Sequence, residues 1–247
     1  MLGLIKNEFY KQKGNWIILL ILAIPIGVSF LLGIDLLIRY RDYLLPLYSQ
    51  EGLTSWQILI NEQRILFFND FMPLFAALIL TVFFECEYKG NSWNFLLTKP
   101  IKREYIIFSK YISALIIFII MLAINILALV VVGKIFKFSE PIPWKFFLIM
   151  AGIQLLAGIV IMTIHLFISL KNKNLMISIG IAGVLSIISS NLYYNGAAIS
   201  KVNLYGLSFF SITQSKTEII TVLVSAVLIY SIGNIAITKY FNNKKIY

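Results

Sequence analysis

The stretch Glu85-Cys86-Glu87-Tyr88-Lys89-Gly90-Asn91-Ser92-Trp93-Asn94-Phe95-Leu96-Leu97-Thr98-Lys99-Pro100-Ile101-Lys102-Arg103 is polar and charged, and it separates two long apolar segments. Inside it, Trp93, Leu96 and Leu97 stand at i, i+3 and i+4, one face of a short helix. Pro100 biases Lys99 toward extended backbone, so this helix is predicted to stop near Leu97 or Thr98. A second helix starts near Arg103 and runs into the next apolar segment. A short helix outside the bilayer, held by two spans, is a lever that another protein can push. The bland alternative is a plain positive loop, but such a loop has no need of Trp93, Leu96 and Leu97, which would expose an apolar knob to water. Packing at the membrane surface or in a partner's groove accounts for them better.

Working outward, the chain has 247 residues, of which 60% are hydrophobic and 13% charged. A soluble domain carries about 25% charged residues. Mean hydropathy is +0.88. These values define an all-α integral membrane protein, read as one transmembrane domain over 1–247. Six spans fit the apolar runs: 16–38, 66–85, 105–132, 144–170, 175–192 and 217–238, each near the ~20 residues that cross a ~30 Å hydrocarbon core. The first run is longer than the apolar region of a signal peptide, and no small-x-small cleavage site follows it before Asp35, so it reads as a span.

Orientation follows from Lys and Arg. With the N-terminus inside, the inner segments hold Lys6, Lys11, Lys13, Lys89, Lys99, Lys102, Arg103, Lys110, Lys171, Lys173, Lys239, Lys244 and Lys245 against Glu8, Glu85, Glu87 and Glu104. The outer segments are almost balanced. The positive-inside rule therefore puts both termini in the cytoplasm.

Between the spans, residues 1–14 fit an N-terminal interfacial helix, with Leu2, Ile5 and Phe9 as its apolar stripe and Lys6, Glu8, Lys11 and Lys13 facing water. They fit a solvated positive flank equally well. The residues from 86 to 104 form the cytoplasmic loop. In the outer loop 39–65, Thr54 and Gln57 have capping-box spacing, and Leu53, Trp56 and Ile60 share a face, which predicts a short amphipathic helix on the outer surface. The outer segment 193–216 mixes Tyr193, Tyr194, Tyr205, Phe209 and Phe210 with Gly196 and Gly206 and reads as two half-inserted, re-entrant helices. Pro25 with Gly27 predicts a kink in the first span. Span five carries Ser178, Gly180, Ala182, Gly183, Ser186, Ser189 and Ser190, small residues that let another helix approach closely, from this chain or from a partner.

Chemistry is sparse. No phosphate-binding loop G-x-x-x-x-G-K-[ST], no H-E-x-x-H and no G-x-S-x-G occurs. Cys86 is the only cysteine, so neither an internal disulfide nor a multi-cysteine metal site can form, and His165 is the only histidine. His165 is either a proton or substrate contact or, more economically, a histidine bonded to a neighbouring helix. Asn125, Gln154 and Asn234 are polar residues inside spans, for which interhelical hydrogen bonds are the simpler reading and substrate contact the sharper one. Asp35 and Asp70 fall at the outer span ends, at headgroup level or paired with Arg39 or Arg64. No acidic residue falls at a span's midplane, which argues against ion-coupled transport. Basic residues are scattered over the loops and give no nucleic-acid surface.

The string Glu87-Tyr88-Lys89-Gly90-Asn91-Ser92-Trp93, followed by Leu96-Leu97-Thr98-Lys99-Pro100-Ile101-Lys102-Arg103 and Ser109-Lys110, resembles the cytoplasmic loop of ABC-2 type transporter permeases. Glu87, Gly90, Thr98, Pro100, Arg103 and Lys110 match that pattern. The motif covers about 25 residues, the topology the whole chain, and the style of the loop looks most like the lantibiotic-immunity and bacitracin-resistance branch. No large outer domain is present, unlike in permeases of the macrolide-exporter type. The resemblance implies a permease subunit that does no chemistry itself. It implies two copies of a separate ABC ATPase that bind ATP and Mg, and a second permease chain, identical or a sister. The loop helix would be the coupling helix, with Glu87, Gly90, Trp93, Leu96, Leu97, Thr98, Pro100 and Arg103 at the ATPase interface. The implied cargo is a peptide antibiotic expelled from a bacterial plasma membrane. Other readings remain: a different cargo such as sodium, a small drug or a lipid-linked glycan; a membrane-embedded lipid enzyme built on Glu85, Glu87 and His165; or a scaffold.

Overall fold

The computed structural model describes residues 1–90, 92–98, 100–172 and 174–243, and among them every regular element is helical. The helices are α1 (Leu2–Lys11), α2 (Trp16–Arg39), α3 (Leu45–Ser49), α4 (Ser55–Ile65), α5 (Met72–Lys89), α6 (Trp93–Thr98), α7 (Arg103–Ile135), α8 (Trp144–Lys171), α9 (Leu175–Tyr194), α10 (Phe210–Thr213) and α11 (Lys216–Asn243). Five segments are long and apolar enough to cross a membrane: Trp16–Tyr48, Arg103–Ile135, Trp144–Lys171, Leu175–Tyr194 and Lys216–Ala236. The first extends beyond the expected 16–38 because α2 passes through a π-helical turn at Tyr40–Leu44 into α3. Helix α2 is unbroken at Pro25. Asn15 starts it by accepting from the Ile17 amide, 3.0 Å away.

The expected second span corresponds to α5, which begins at Met72 rather than 66. It has 18 residues and carries Glu85, Glu87 and Lys89 near its end, and these charges put it outside the five. Packing explains its composition. Ala76, Ala77, Ile79, Leu80, Val82, Phe83 and Phe84 are fully buried, and α2, α7, α8 and α9 pack around α5. It is the central helix of the bundle, and its middle faces protein.

Where α7 crosses α8, close approach depends on one glycine. A Cβ on Gly158 would lie 2.2 Å from the Phe118 ring. Helix α9 turns its small residues inward: Ser178, Ala182, Ser186 and Ser189 are buried against the bundle, while Ile177, Val184, Ile187 and Ile188 face outward. Of the small residues on this helix, these four pack within the chain, whereas Gly180 is exposed with nothing within 4 Å of where its Cβ would stand.

Helix α4 forms with the predicted capping box: Thr54 Oγ1 accepts from the Gln57 amide and Gln57 Oε1 accepts from the Thr54 amide. It does not lie on the surface. Trp56, Ile58, Leu59 and Ile60 are all buried, because apolar side chains cover far more of the helix than the Leu53-Trp56-Ile60 stripe. Trp56 packs edge-on to Phe138 and Phe147 and donates its indole N–H to the Glu140 carbonyl at 3.1 Å. The Ser55 amide and hydroxyl donate to the Glu140 carboxylate, closing the 136–143 loop over α4. Beyond α9, 3-10 turns at Ala198–Val202 and Leu204–Phe209 lead into α10, and Tyr205, Leu207, Phe209 and Phe210 are buried against α8 and α9.

Candidate functional site

The loop singled out by the sequence is mounted on a buried ion cluster. Lys110 stands in the second turn of α7 and is fully buried. Its ammonium donates to Glu8 Oε2 at 2.8 Å, to Glu87 Oε1 at 2.7 Å and to the Phe83 carbonyl at 3.0 Å. Lys11 bonds Glu8 Oε1 at 3.0 Å and Glu87 Oε1 at 2.5 Å. Glu8 and Glu87 are themselves buried, so two carboxylates and two ammoniums form a neutral set in which each charge has an opposite partner. Burial would pull the Lys11 ammonium down, but Glu87 and Glu8 together hold it above its ordinary value. The cluster ties α1, α5 and α7 into one unit. Gln12 adds a bond to Cys86 Sγ at 3.1 Å.

This arrangement corrects the reading of α1. Glu8 and Lys11 were expected to face water, yet they turn to the bundle, while Leu2 of the expected apolar stripe is exposed. The reason is electrostatic: a lone Lys110 inside α7 must be neutralised, and α1 supplies a carboxylate to do it. The signal lay in the sequence as a single Lys within the apolar run Ile106-Ile107-Phe108-Ser109-Lys110-Tyr111-Ile112, but nothing local pointed to Glu8 as its partner.

Helix α6 hangs directly from this cluster. The Ser92 hydroxyl donates to the Glu87 carboxylate, and the Ser92 amide to the Glu87 carbonyl at 3.0 Å. Trp93 packs inward, stacked on Phe84 at 6.2 Å and tilted against Tyr88 at 5.6 Å between ring centroids. Tyr88 in turn donates to the Ser169 carbonyl of α8 at 2.8 Å. Trp93 therefore anchors α6 to α5. Gly90 sits where a Cβ would press on the Cys86 carbonyl at 3.2 Å. Leu96 is half-buried, Thr98 and Pro100 are exposed, and half-buried Arg103 opens α7. The side chain of Leu97, and residues Asn91, Lys99 and Lys173, lie outside the described part of the chain.

The four polar residues inside the spans do not meet in one place. Asn125 accepts from Gln63 of α4 at 2.7 Å, and Gln154 donates to Asn69 at 2.7 Å. Asn234 lines a cavity between α7, α8 and α11. His165 is fully buried, with Nδ1 2.7 Å from Ser178 Oγ and Nε2 2.9 Å from Tyr205 Oη. Ser178 also accepts from Thr81 at 3.0 Å, so His165 links α8, α9, α5 and the 204–209 turn. His165 and Glu87 are each bonded to other groups, so the Glu85, Glu87, His165 constellation of an enzyme is not assembled. At the far end Asp35 pairs with Arg39 at 2.8 Å, whereas Asp70 bonds Ser190 and Tyr194 rather than Arg64. His165→Leu strands the Tyr205 hydroxyl, a loss of about 1–3 kcal/mol. The expected result is a lower thermal midpoint of the purified chain in detergent, with Tyr205→Phe the milder change. An unchanged midpoint in His165→Leu would remove His165 from the packing scheme.

A family model described as ABC-2 family transporter protein matches residues 4–189. No curated protein and no solved structure matches the chain.

Proposed function

Because the chain belongs to the ABC-2 family of transporter proteins, we propose that α6 is the coupling helix through which an ATPase moves its membrane helices. The chain is a multi-pass membrane protein and a permease subunit, and its family implies partnership with an ABC ATPase. The observation that carries the coupling role is the mounting of α6. It is suspended between α5 and α7, and Ser92 joins it to a charge cluster that also holds α1. A push on α6 therefore reaches α5, α7 and α1 together.

In this reading two ATPase chains bind ATP and Mg, close on one another and displace α6. Glu87, Gly90, Trp93, Leu96, Leu97, Thr98, Pro100 and Arg103 make up or support the docking surface. Helix α5 is the sixth span, supported by its central place among the other five. Both termini and α6 then face the cytoplasm, in keeping with the excess of Lys and Arg there. A second permease chain, identical or a sister, meets this one along α2 and α9. Both helices carry outward apolar faces, including Phe30, Leu31 and Leu37 of α2 and Val184 and Ile187 of α9. The cargo is an amphipathic peptide antibiotic of the lantibiotic type, expelled from a bacterial plasma membrane. That assignment is supported by the style of the loop alone.

The test is affinity purification of the chain co-expressed with the ATPase encoded beside it. Wild type is expected to retain the ATPase, and Leu96→Asp to lose at least about tenfold of it, as a charge forced into an apolar contact costs more than the ~1.4 kcal/mol that equals a tenfold change. Size-exclusion elution of the variant should match wild type. Equal retention by both, or none by wild type in mild detergent, would sink the coupling assignment.

A further inference from the structure

A cavity of about 290 Å³ opens between α7, α8 and α11, at the end of the bundle that carries α6. It is separate from the ion cluster, and none of Glu8, Lys11, Glu87 or Lys110 lines it. Its lining is mainly aromatic and aliphatic, with Thr163 and Asn234 as uncharged polar groups and Glu104 as the one carboxylate. Glu104, Phe108 and Tyr111 stand at i, i+4 and i+7 and bring one face of α7 to the cavity, joined by Tyr105. Tyr230 of α11 closes the opposite wall, with its ring 6.3 Å from that of Tyr111. The Tyr111 hydroxyl is engaged by the Ile159 carbonyl and Thr163 Oγ1, so what Tyr111 offers the cavity is its ring. The mouth is reached past Tyr105, Phe108 and Tyr230, which are 50%, 40% and 36% exposed.

Among the described residues the Glu104 carboxylate makes no hydrogen bond or ion pair. Its sequence neighbours Lys102 and Arg103 do not line the cavity. A carboxylate set among aromatic rings recognises an organic cation: the ring faces attract an ammonium through their quadrupole, and the carboxylate neutralises it. The volume stands at the small end of ligand sites, enough for an ammonium head and the first part of an apolar tail. An anionic head would meet Glu104 unfavourably, so the site discriminates by sign.

We propose that this cavity is a binding site for amphiphilic ammonium compounds, with the ammonium held between Glu104 and the rings of Tyr105, Tyr111 and Tyr230, and the tail along Phe108. The ammonium arrives either on a free amphiphile or on the headgroup of an aminolipid. The inference stands independently of the ATPase docking proposed for α6.

The test uses the full chain in dodecyl maltoside and a photoreactive diazirine-bearing decyltrimethylammonium, with labelled peptides mapped by mass spectrometry. Labelling is expected to concentrate in the peptides holding residues 105–111 and 230–234. It should fall about tenfold in Glu104→Gln and several-fold in Tyr230→Leu. The matching diazirine-bearing decanol, which lacks the charge, should label weakly and be indifferent to Glu104→Gln. Competition by excess phosphatidylethanolamine assigns the ammonium to a lipid headgroup, and lack of competition assigns it to a free amphiphile; both support the site. The proposal is overturned if Glu104→Gln labels like wild type, or if the neutral probe labels these peptides as strongly as the charged one.

Discussion

Replacing Lys110 with Met is expected to be among the most damaging single changes in this chain, at about 3–5 kcal/mol, because it breaks a buried charge pairing from one side. Glu8 and Glu87 would remain buried with only the half-exposed Lys11 between them. The thermal midpoint in detergent should drop, and the first ten residues should come free, read as faster tryptic cleavage at Lys11 and Lys13. The cause is separable from simple loss of packing. A triple variant, Lys110→Met with Glu8→Gln and Glu87→Gln, removes all the charges except Lys11. It should regain much of the loss, since well-packed neutral groups often replace buried ion sets at little cost. If the triple variant were no more stable than Lys110→Met, unpaired charge would not be the reason for the damage.

The second large effect is steric. Gly158→Val places a Cβ within 2.2 Å and further methyl groups inside the space of the Phe118 ring, which is itself fully buried. Neither helix backbone can yield locally without parting α7 from α8, and overpacking of this kind costs roughly 1–3 kcal/mol or more. Lower yield and a depressed midpoint are expected. Phe118→Ala alone leaves a cavity and is also destabilising. Combined, the two changes should compensate, with a coupling energy well above the ~0.5 kcal/mol scatter of independent sites. Strict additivity in this double-mutant cycle would show that Gly158 and Phe118 do not set the helix spacing.

The comparison between sequence and structure divides along physical lines. Features fixed by nearest neighbours were legible: the helix from Trp93 to Thr98 stopping before Pro100, the start of α7 at Arg103, the Thr54–Gln57 capping box, and four long apolar spans with nearly the expected bounds. Features set by distant neighbours were not. The apolar character of α4 was read as a surface face, although its width called for burial on several sides. The inward turn of Glu8 depends on Lys110, which periodicity within α1 cannot register. Trp93 read as packing at the membrane surface or in a partner's groove, because Phe84 and Tyr88, its partners within the chain, lie one helix away across a turn. The apolar run of the central helix was legible as a span, but its start at Met72, its enclosure by the other helices and the pairing of Glu87 with Lys110 were not.

The clasp between Glu8 and Lys110 joins groups 102 residues apart. During synthesis at roughly 5–20 residues per second, the N-terminal helix is finished about 5–20 s before its lysine partner is even made. Until Glu87 is made, Glu8 and Lys11 have only each other and solvent, and α2 and α5 must be inserted without the Lys110 clasp. The end of the molecule that carries α1 and α6 therefore closes late, after α7 is in place. A ribosome stalled just short of residue 110 would hold a chain whose first helix is still accessible to protease, and one stalled well beyond it would not.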